Sequence, residues 1–143
     1  MNKHQNRFKS SENFMLSEHQ CQGERYGTCK CGGAVKMDER LATIEQKIRD
    51  RVGKPLTKTS GYRCWEHNAS IKGASPISQH VAGTASDISV EGTGLTVDQL
   101  AEIAKECGAV RIGKYPNNGF VHISCEEQIK VNGDVAADTW TIL

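Results

Sequence analysis

The stretch SQHVAGTASD, at positions 78–87, constrains this chain most because it joins two potential metal ligands, His80 and Asp87, through small residues. On a helix, this spacing of seven would stack the two side chains on one face. Gly83 is a poor helix former, however, and the continuation Ile88-Ser89-Val90 shows the apolar–polar alternation of a strand. The stretch therefore predicts a loop that carries His80 and a strand that carries Asp87.

The length and charge of the chain narrow the class of protein. Its 143 residues suit one compact domain, and its 18 basic and 17 acidic residues are interspersed, with a net charge of +1. No basic surface bias indicates nucleic-acid binding. The N-terminus lacks the apolar run of a signal peptide, and no later segment is apolar enough to span a membrane. We expect a monomer that is cytoplasmic as synthesised, inserts into no membrane and binds no nucleic acid.

Helix and strand signals alternate in the pattern of a small α+β domain. A flexible polar segment is expected over residues 1–13, and the folded domain over residues 14–143. Asp38 can cap a helix that ends at Gly53. Thr96 and Gln99 form a capping box for a second helix, which stops at Gly108. Four segments are predicted to be strands: Leu56–Ser60, Ala85–Glu91, Ala109–Gly113 and Gly119–Ser124.

The six cysteines admit three interpretations. They are Cys21, Cys29, Cys31, Cys64, Cys107 and Cys125. A reducing compartment favours reduced, mostly buried thiols that pack as small hydrophobic groups. The spacing lacks the paired CxxC motifs of a zinc ribbon, but a structural metal held by the first three, with Cys64 as a fourth candidate, stays open. Disulfides are the third interpretation.

Two further stretches bring polar side chains to strand ends. TSGYRCWEHN, at positions 59–68, runs from a strand through a glycine turn to Arg63. GKYPNNGFVHIS, at positions 113–124, places His122 inside an apolar alternating run, where Val121 and Ile123 face the opposite side. A histidine in this position is either a satisfied core residue or a metal ligand.

Taken together, these side chains indicate a catalytic metal centre. His80, Asp87 and His122 offer two imidazoles and one carboxylate, which suit Zn²⁺. Three protein ligands leave a fourth tetrahedral position for water, as a catalytic zinc site requires and a structural one does not. The chain contains no HExxH, so the helical metalloprotease arrangement is excluded.

The motifs S-x-H-x-x-G-x-A-x-D, SGYR and FVHI, in this order, resemble those of a known enzyme family. It is the zinc D-Ala-D-Ala carboxypeptidase and L-Ala-D-Glu endopeptidase family, whose fold is shared with hedgehog signalling domains. The resemblance spans about Phe14 to Ser124 and implies a single α+β domain with a central antiparallel sheet that carries the zinc. It also implies peptidoglycan stem peptides or cross-links as substrate. Phage endolysins of this family lack signal peptides because a holin releases them to the cell wall.

The resemblance assigns roles to individual residues. His80, Asp87 and His122 would hold the zinc, and Arg63 would match the arginine that faces the scissile carbonyl. Ser78 would match a serine that contacts substrate. Tyr115 is a further polar group near the expected site, and we assign it to substrate binding as well. An arginine suits an oxyanion because it stays charged at any working pH.

One departure from the family pattern leaves the general base unassigned. Many members carry an acidic residue three positions before the last ligand, where this chain has Gly119. Some endopeptidases carry aspartate two positions after it, where this chain has Ser124. The downstream candidates for the base are Glu126, Glu127 and Asp138.

The sequence thus predicts a zinc-dependent peptidase of peptidoglycan, of phage or prophage type. The alternative is a zinc-containing wall-binding or interaction module of the same fold that has lost catalysis, which the missing acid favours. A nucleic-acid-binding zinc protein built on the N-terminal cysteines leaves the three motifs unexplained.

Overall fold

The computed structural model describes residues 8–72, 74, 78–126, 130–131 and 134–135. Four α-helices lie in this part of the chain: α1 Glu39–Val52, α2 Trp65–Ser70, α3 Gln79–Ala82 and α4 Val97–Glu106. Short 3₁₀ helices span Leu16–His19 and Gly23–Tyr26. The strands are β1 Lys9–Ser11, β2 Phe14–Met15, β3 Thr57–Ser60, β4 Ala85–Ser89, β5 Arg111–Tyr115, β6 Phe120–Ser124, β7 Lys130–Val131 and β8 Asp134–Val135.

A four-stranded antiparallel sheet in the order β3-β4-β6-β5 forms the centre of the domain. All four predicted strands are present in it. The strand β5 begins at Arg111, two residues later than predicted, and β6 begins at Phe120, because Gly119 belongs to the preceding turn with φ of 68°. The α+β fold class is confirmed.

Helices α1 and α4 follow the capping signals of the sequence. The Asp38 side chain accepts a hydrogen bond from the amide of Arg40 at the start of α1, and Gly53 ends that helix in the left-handed conformation. The Thr96–Gln99 capping box opens α4.

The hydrophobic core lies between these two helices and one face of the sheet, which we call the core face. Ile88, Val121 and Ile123 point to this face, as the alternation predicted, and each is at most 1% exposed. Cys107 and Cys125 are buried in the same cluster, so these two behave as small hydrophobic groups. All six cysteines are free thiols, which excludes the disulfide interpretation for this structure.

Residues 9–11 form a strand, although they lie in a segment that was expected to be flexible because of its polarity. Within the predicted flexible segment 1–13, residues 9–11 form β1 and pair with β2, whereas residues 1–7 lie outside the described part. The hairpin is tied to α1 because the side-chain oxygen of Gln46 accepts from the Ser11 hydroxyl and the Asn13 amide, each at 2.9 Å. Tertiary hydrogen bonds therefore order residues that local composition does not.

None of the described helices has the length and apolarity needed to cross a membrane.

Candidate active site

Strand register places two of the predicted ligands side by side. Asp87 of β4 and His122 of β6 are direct partners across the antiparallel ladder, so both side chains leave the sheet on the face opposite the core. We call this the site face. His122 Nδ1 lies 3.0 Å from Asp87 Oδ1. On the other side of His122 its partner is Gly113, which has no side chain to crowd the imidazole.

The third ligand, His80, lies on the short helix α3 rather than on the predicted loop. The predicted loop is wrong because Gly83 is not a helix interior residue. Gly83 instead ends the single turn with φ of 77°, while the Ser78 hydroxyl caps its start by accepting from the His80 amide at 3.2 Å. These two caps define the start and the end of the helical turn.

A backbone carbonyl sets the orientation of His80. Its Nδ1 lies 2.7 Å from the Gly61 carbonyl oxygen, which can only accept, so Nδ1 carries the proton. Nε2 is then the nitrogen with a free lone pair, and it lies 3.3 Å from Asp87 Oδ1. Such a hydrogen bond to the distal nitrogen is the usual way in which a metal-ligating histidine is held.

These distances fit a zinc ion. Zinc–ligand distances of about 2.0–2.1 Å place tetrahedral nitrogen and oxygen ligands roughly 3.3 Å apart. The pairs measured here are 3.0 and 3.3 Å, and the three ligand atoms all lie within 4.8 Å of one another. Two imidazoles and a carboxylate are also the donors that zinc prefers in catalytic sites.

Burial and neighbouring charges set the protonation states of Asp87 and His122. Burial alone would raise the pKa of Asp87, but the charges of His80 and His122 and their hydrogen bonds outweigh it and hold that pKa below its usual value. Burial lowers the pKa of His122 to about 4, against the opposing effect of Asp87. At neutral pH the site therefore holds a carboxylate beside a neutral imidazole, the forms that bind metal.

Arg63 lies at the edge of this cluster. Its Nη2 is 3.9 Å from Asp87 Oδ2, and its Nη1 donates to the Asn68 side-chain oxygen at 3.2 Å. The backbone amide of Arg63 donates to the His80 carbonyl, which ties the start of α2 to α3. Burial lowers the pKa of Arg63, with Asp87 and Tyr115 acting in the opposite direction. Its Nε has no hydrogen-bond partner within the described residues.

The two predicted substrate contacts lie near the ligands in different ways. The Ser78 hydroxyl serves as the cap of α3. Tyr115 lies on β5 two residues beyond Gly113, and so on the site face, where its ring stacks on Phe120 with centroids 4.4 Å apart. Substrate binding by either residue stays a prediction.

The positions that could carry a general base hold other groups. Ser124 is fully buried, and its hydroxyl exchanges hydrogen bonds with the Glu126 backbone. The Glu126 carboxylate pairs with Arg40 at the surface. Glu127 and Asp138 lie outside the described residues.

Two residues that orient the site were missed from the sequence. The Gly61 carbonyl holds His80, and Asn68 holds Arg63. Gly61 must be glycine because a Cβ there would lie 2.5 Å from His19 Nδ1. The glycine in SGYR was the available signal for the first, whereas nothing local distinguishes Asn68.

Comparison with known families agrees with this geometry. The family model for peptidase M15 matches residues 12–124, which include all three ligands and Arg63. The chain belongs to the peptidase M15 family. This confirms the resemblance to zinc D-Ala-D-Ala carboxypeptidases and endopeptidases that the motifs indicated.

Individual relatives cover a smaller part of the chain. It is 36% identical over 74 residues to the peptidoglycan L,D-endopeptidase MepK of Escherichia coli strain K12, and equally so to those of Escherichia coli O157:H7 and Shigella flexneri. Each match covers 49% of this chain and 40% of the relative. The chain therefore spans less than half the length of these relatives.

Proposed function

We propose that this M15 family member is a zinc-dependent peptidase that hydrolyses peptide bonds in bacterial peptidoglycan. The observation that carries the proposal is the convergence of His80, Asp87 and His122 from α3, β4 and β6, with Arg63 beside them. Three ligands leave coordination capacity for water or substrate, which suits a catalytic zinc site.

In this proposal the ion would be held by His80 Nε2, His122 Nδ1 and the Asp87 carboxylate. When bound, zinc supplies Lewis acidity, which polarises a peptide carbonyl and lowers the pKa of water toward about 7. The Gly61 carbonyl keeps the proton of His80 on Nδ1, so Nε2 stays available to the ion. The ladder between β4 and β6 holds Asp87 and His122 in register.

Arg63 would stabilise the negative charge that develops on the carbonyl oxygen during attack. Its guanidinium is mostly buried, with its side chain 14% exposed, so it acts where charge interactions are stronger than in bulk water. The hydrogen bond to Asn68 uses one of its donors and leaves others for substrate.

The relatives favour an internal cleavage. They are named L,D-endopeptidases, and we propose the same bond class for this chain in preference to carboxypeptidase action. Release by a holin, a phage origin and a monomeric state stay predictions.

Proton transfer is the step for which the chain offers no assigned group. Neither position 119 nor position 124 carries a carboxylate, and that of Glu126 is paired with Arg40. This observation favours a second candidate function, a zinc-containing wall-binding module without catalysis. Glu127 and Asp138 are the remaining candidates for a base within the peptidase proposal.

Mass spectrometry of muropeptides tests the two candidates. Purified protein with zinc is incubated with peptidoglycan, beside a His122→Ala variant that lacks one ligand. The peptidase proposal expects fragments cut at an L,D bond with wild type and none with the variant. A wild type that sediments with peptidoglycan and releases no fragment would instead establish the binding module.

A further inference from the structure

A second cluster of metal-ligating side chains lies outside the active site. Three separate segments bring Cys21, Cys29, Cys31 and Cys64 together, so that their sulfur atoms all lie within 4.8 Å of one another. Cys21 follows the first 3₁₀ helix, Cys29 and Cys31 follow the second, and Cys64 is the N-cap of α2. We propose that these four cysteines form a closed structural zinc site.

The sulfur separations agree with zinc better than with disulfides. Cys21 and Cys29 Sγ are 4.0 Å apart, and Cys29 and Cys31 Sγ are 3.5 Å apart. A disulfide requires about 2.05 Å, whereas tetrahedral zinc with Zn–S bonds of about 2.3 Å places its sulfurs roughly 3.8 Å apart. Four thiolate ligands occupy every tetrahedral position, so this site would leave no place for water or substrate.

Backbone amides are directed at the sulfur atoms. The amide of Cys64 donates to Cys21 Sγ at 3.4 Å, and the amide of His67 donates to Cys64 Sγ at 3.4 Å. Hydrogen bonds from amides would favour the charged thiolate form of these sulfurs over the thiol. Such contacts form the outer shell that orients metal ligands and tunes a metal site.

The chain makes room for the cluster at Gly23. A Cβ at this position would lie 2.3 Å from Cys29 Sγ and 2.9 Å from His67 Cβ, so a side chain here would displace Cys29. Cys21 and Cys29 are buried and Cys31 and Cys64 are partly buried, yet none of the four belongs to the hydrophobic core cluster. Ordinary core packing, which explains Cys107 and Cys125, therefore does not account for this arrangement.

The proposed site would join the N-terminal segment to the active-site arginine. Cys64 directly follows Arg63, and the neighbouring Tyr62 amide donates to the His19 carbonyl at 2.8 Å. An ion held by Cys21 and Cys64 would fix the junction between β3 and α2 at this point. The role is structural, and it holds whether or not the chain hydrolyses peptidoglycan.

Zinc content locates the site. We expect two zinc equivalents per chain in the wild type and loss of one in the double variant Cys29→Ser/Cys31→Ser. The matched control Cys107→Ser removes a buried thiol from the apolar core and should keep both. One equivalent in the wild type that the double variant retains would overturn the proposal, and iron in place of zinc would overturn the choice of metal.

Cobalt substitution separates this site from the active site. Cobalt(II) bound by cysteine gives an intense thiolate charge-transfer band in the near ultraviolet, which the His-Asp-His site cannot produce. We expect the band in the wild type and in His122→Ala, and its absence in the double variant. A cobalt-loaded wild type without this band would overturn the proposal even if the double variant did not fold. Peptidase activity is not a readout, so failure of the proposed function would leave this test intact.

Discussion

A buried carboxylate lies on each face of the central sheet, but only the one on the core face is in direct contact with a cationic side chain. On the core face, Glu45 lies 2.9 Å from Nζ of Lys58, and both side chains are at most 1% exposed. On the site face, Asp87 meets two imidazoles and an arginine whose nearest nitrogen is 3.9 Å away. Glu45 is neutralised by a lysine of the same chain, so its role is structural. Asp87 is surrounded by nitrogen atoms that can bind a metal, so it can still accept an ion as a ligand.

The largest effect is expected from removing the cation on the core face. Lys58→Met leaves Glu45 buried without its partner, which should lower the free energy of unfolding by about 3–5 kcal/mol. Denaturant titration measures this loss, and zinc content at the site face should not change in the folded fraction.

Arg51→Met is the control for that comparison. It breaks the ion pair with Glu106, in which both side chains are about half exposed, so the expected loss is within about 1 kcal/mol. Equal losses of unfolding free energy for Lys58→Met and Arg51→Met would show that the buried ion pair stabilises the fold no more than an exposed one. The structural role of the core-face carboxylate would then be refuted.

The next effect concerns the cation on the site face. Arg63→Lys keeps the positive charge but loses the planar set of donors that reaches Asn68 and a substrate oxygen. We expect the peptidase rate constant kcat/KM to fall roughly 10²-fold, with zinc content and melting temperature close to those of the wild type.

The surface substitution Arg51→Lys is the matched control, since it makes the same chemical change at an exposed position whose ion-pair partner is Glu106. It should leave the rate unchanged. If Arg63→Lys behaves in the same way, Arg63 acts only as a partner of Asp87 and not on the substrate.

The contrast between the faces also shows which structural features can be predicted from the sequence. Helices α1 and α4 were predictable because caps and apolar spacing lie within each segment. The alternation of side chains along β6 correctly predicted that His122 and its neighbours Val121 and Ile123 point to opposite faces of the sheet. The helix α3 was missed because a single turn depends on its two caps and on tertiary contacts more than on propensity.

Interactions between distant segments set the limit of that reasoning. The hydrogen bond from His80 to the Gly61 carbonyl links residues that are 19 apart, and the Lys58–Glu45 pair links a strand to a helix. The four-cysteine cluster was only one of three interpretations because Cys64 lies 43 residues from Cys21. Contacts of this kind depend on how distant segments pack together, so no local sequence pattern predicts them.

The pH dependence of stability tests the protonation state of His19, which lies beside Lys58 on the core face. Burial lowers the pKa of His19 far below its usual value, and the charges of Lys58 and His80 act in the same direction. His19 therefore stays neutral in the folded protein, while the unfolded chain takes up a proton below pH about 6.5. Because the unfolded state then binds more protons, His19 alone should lower the free energy of unfolding by up to about 1.4 kcal/mol per pH unit below that point.

The variant His19→Asn isolates this contribution. Asparagine offers an oxygen near the place of Nδ1, which lies 3.1 Å from Lys58 Nζ, and it does not titrate. Its stability should decline less steeply than that of the wild type between pH 6 and pH 4.5, a window that follows from the lowered pKa. Parallel declines would mean that His19 is protonated in the fold.

The smallest effect is expected at Gly119, where the family pattern has an acid and this chain has none. Gly119 precedes β6 with φ of 68°, and a Cβ there would meet only Val90 at 3.7 Å, an ordinary contact. Space therefore permits a side chain, while the backbone conformation disfavours one by about 1–2 kcal/mol, less for Asp and Asn, which tolerate it best. Gly119→Asp and Gly119→Asn should lose similar, small amounts of stability.

The rates of these two variants decide whether position 119 can supply the missing base. Gly119 lies in the turn before β6, outside regular strand geometry, and the three residues from it to His122 span up to roughly 10 Å. We therefore expect the Asp variant to gain much less over the Asn variant than the factor of about 10² or more that a positioned base contributes. A gain of that size would place the base at this turn, and the site face would then lack only one carboxylate of a complete peptidase. Equal rates would direct the search to Glu127 and Asp138.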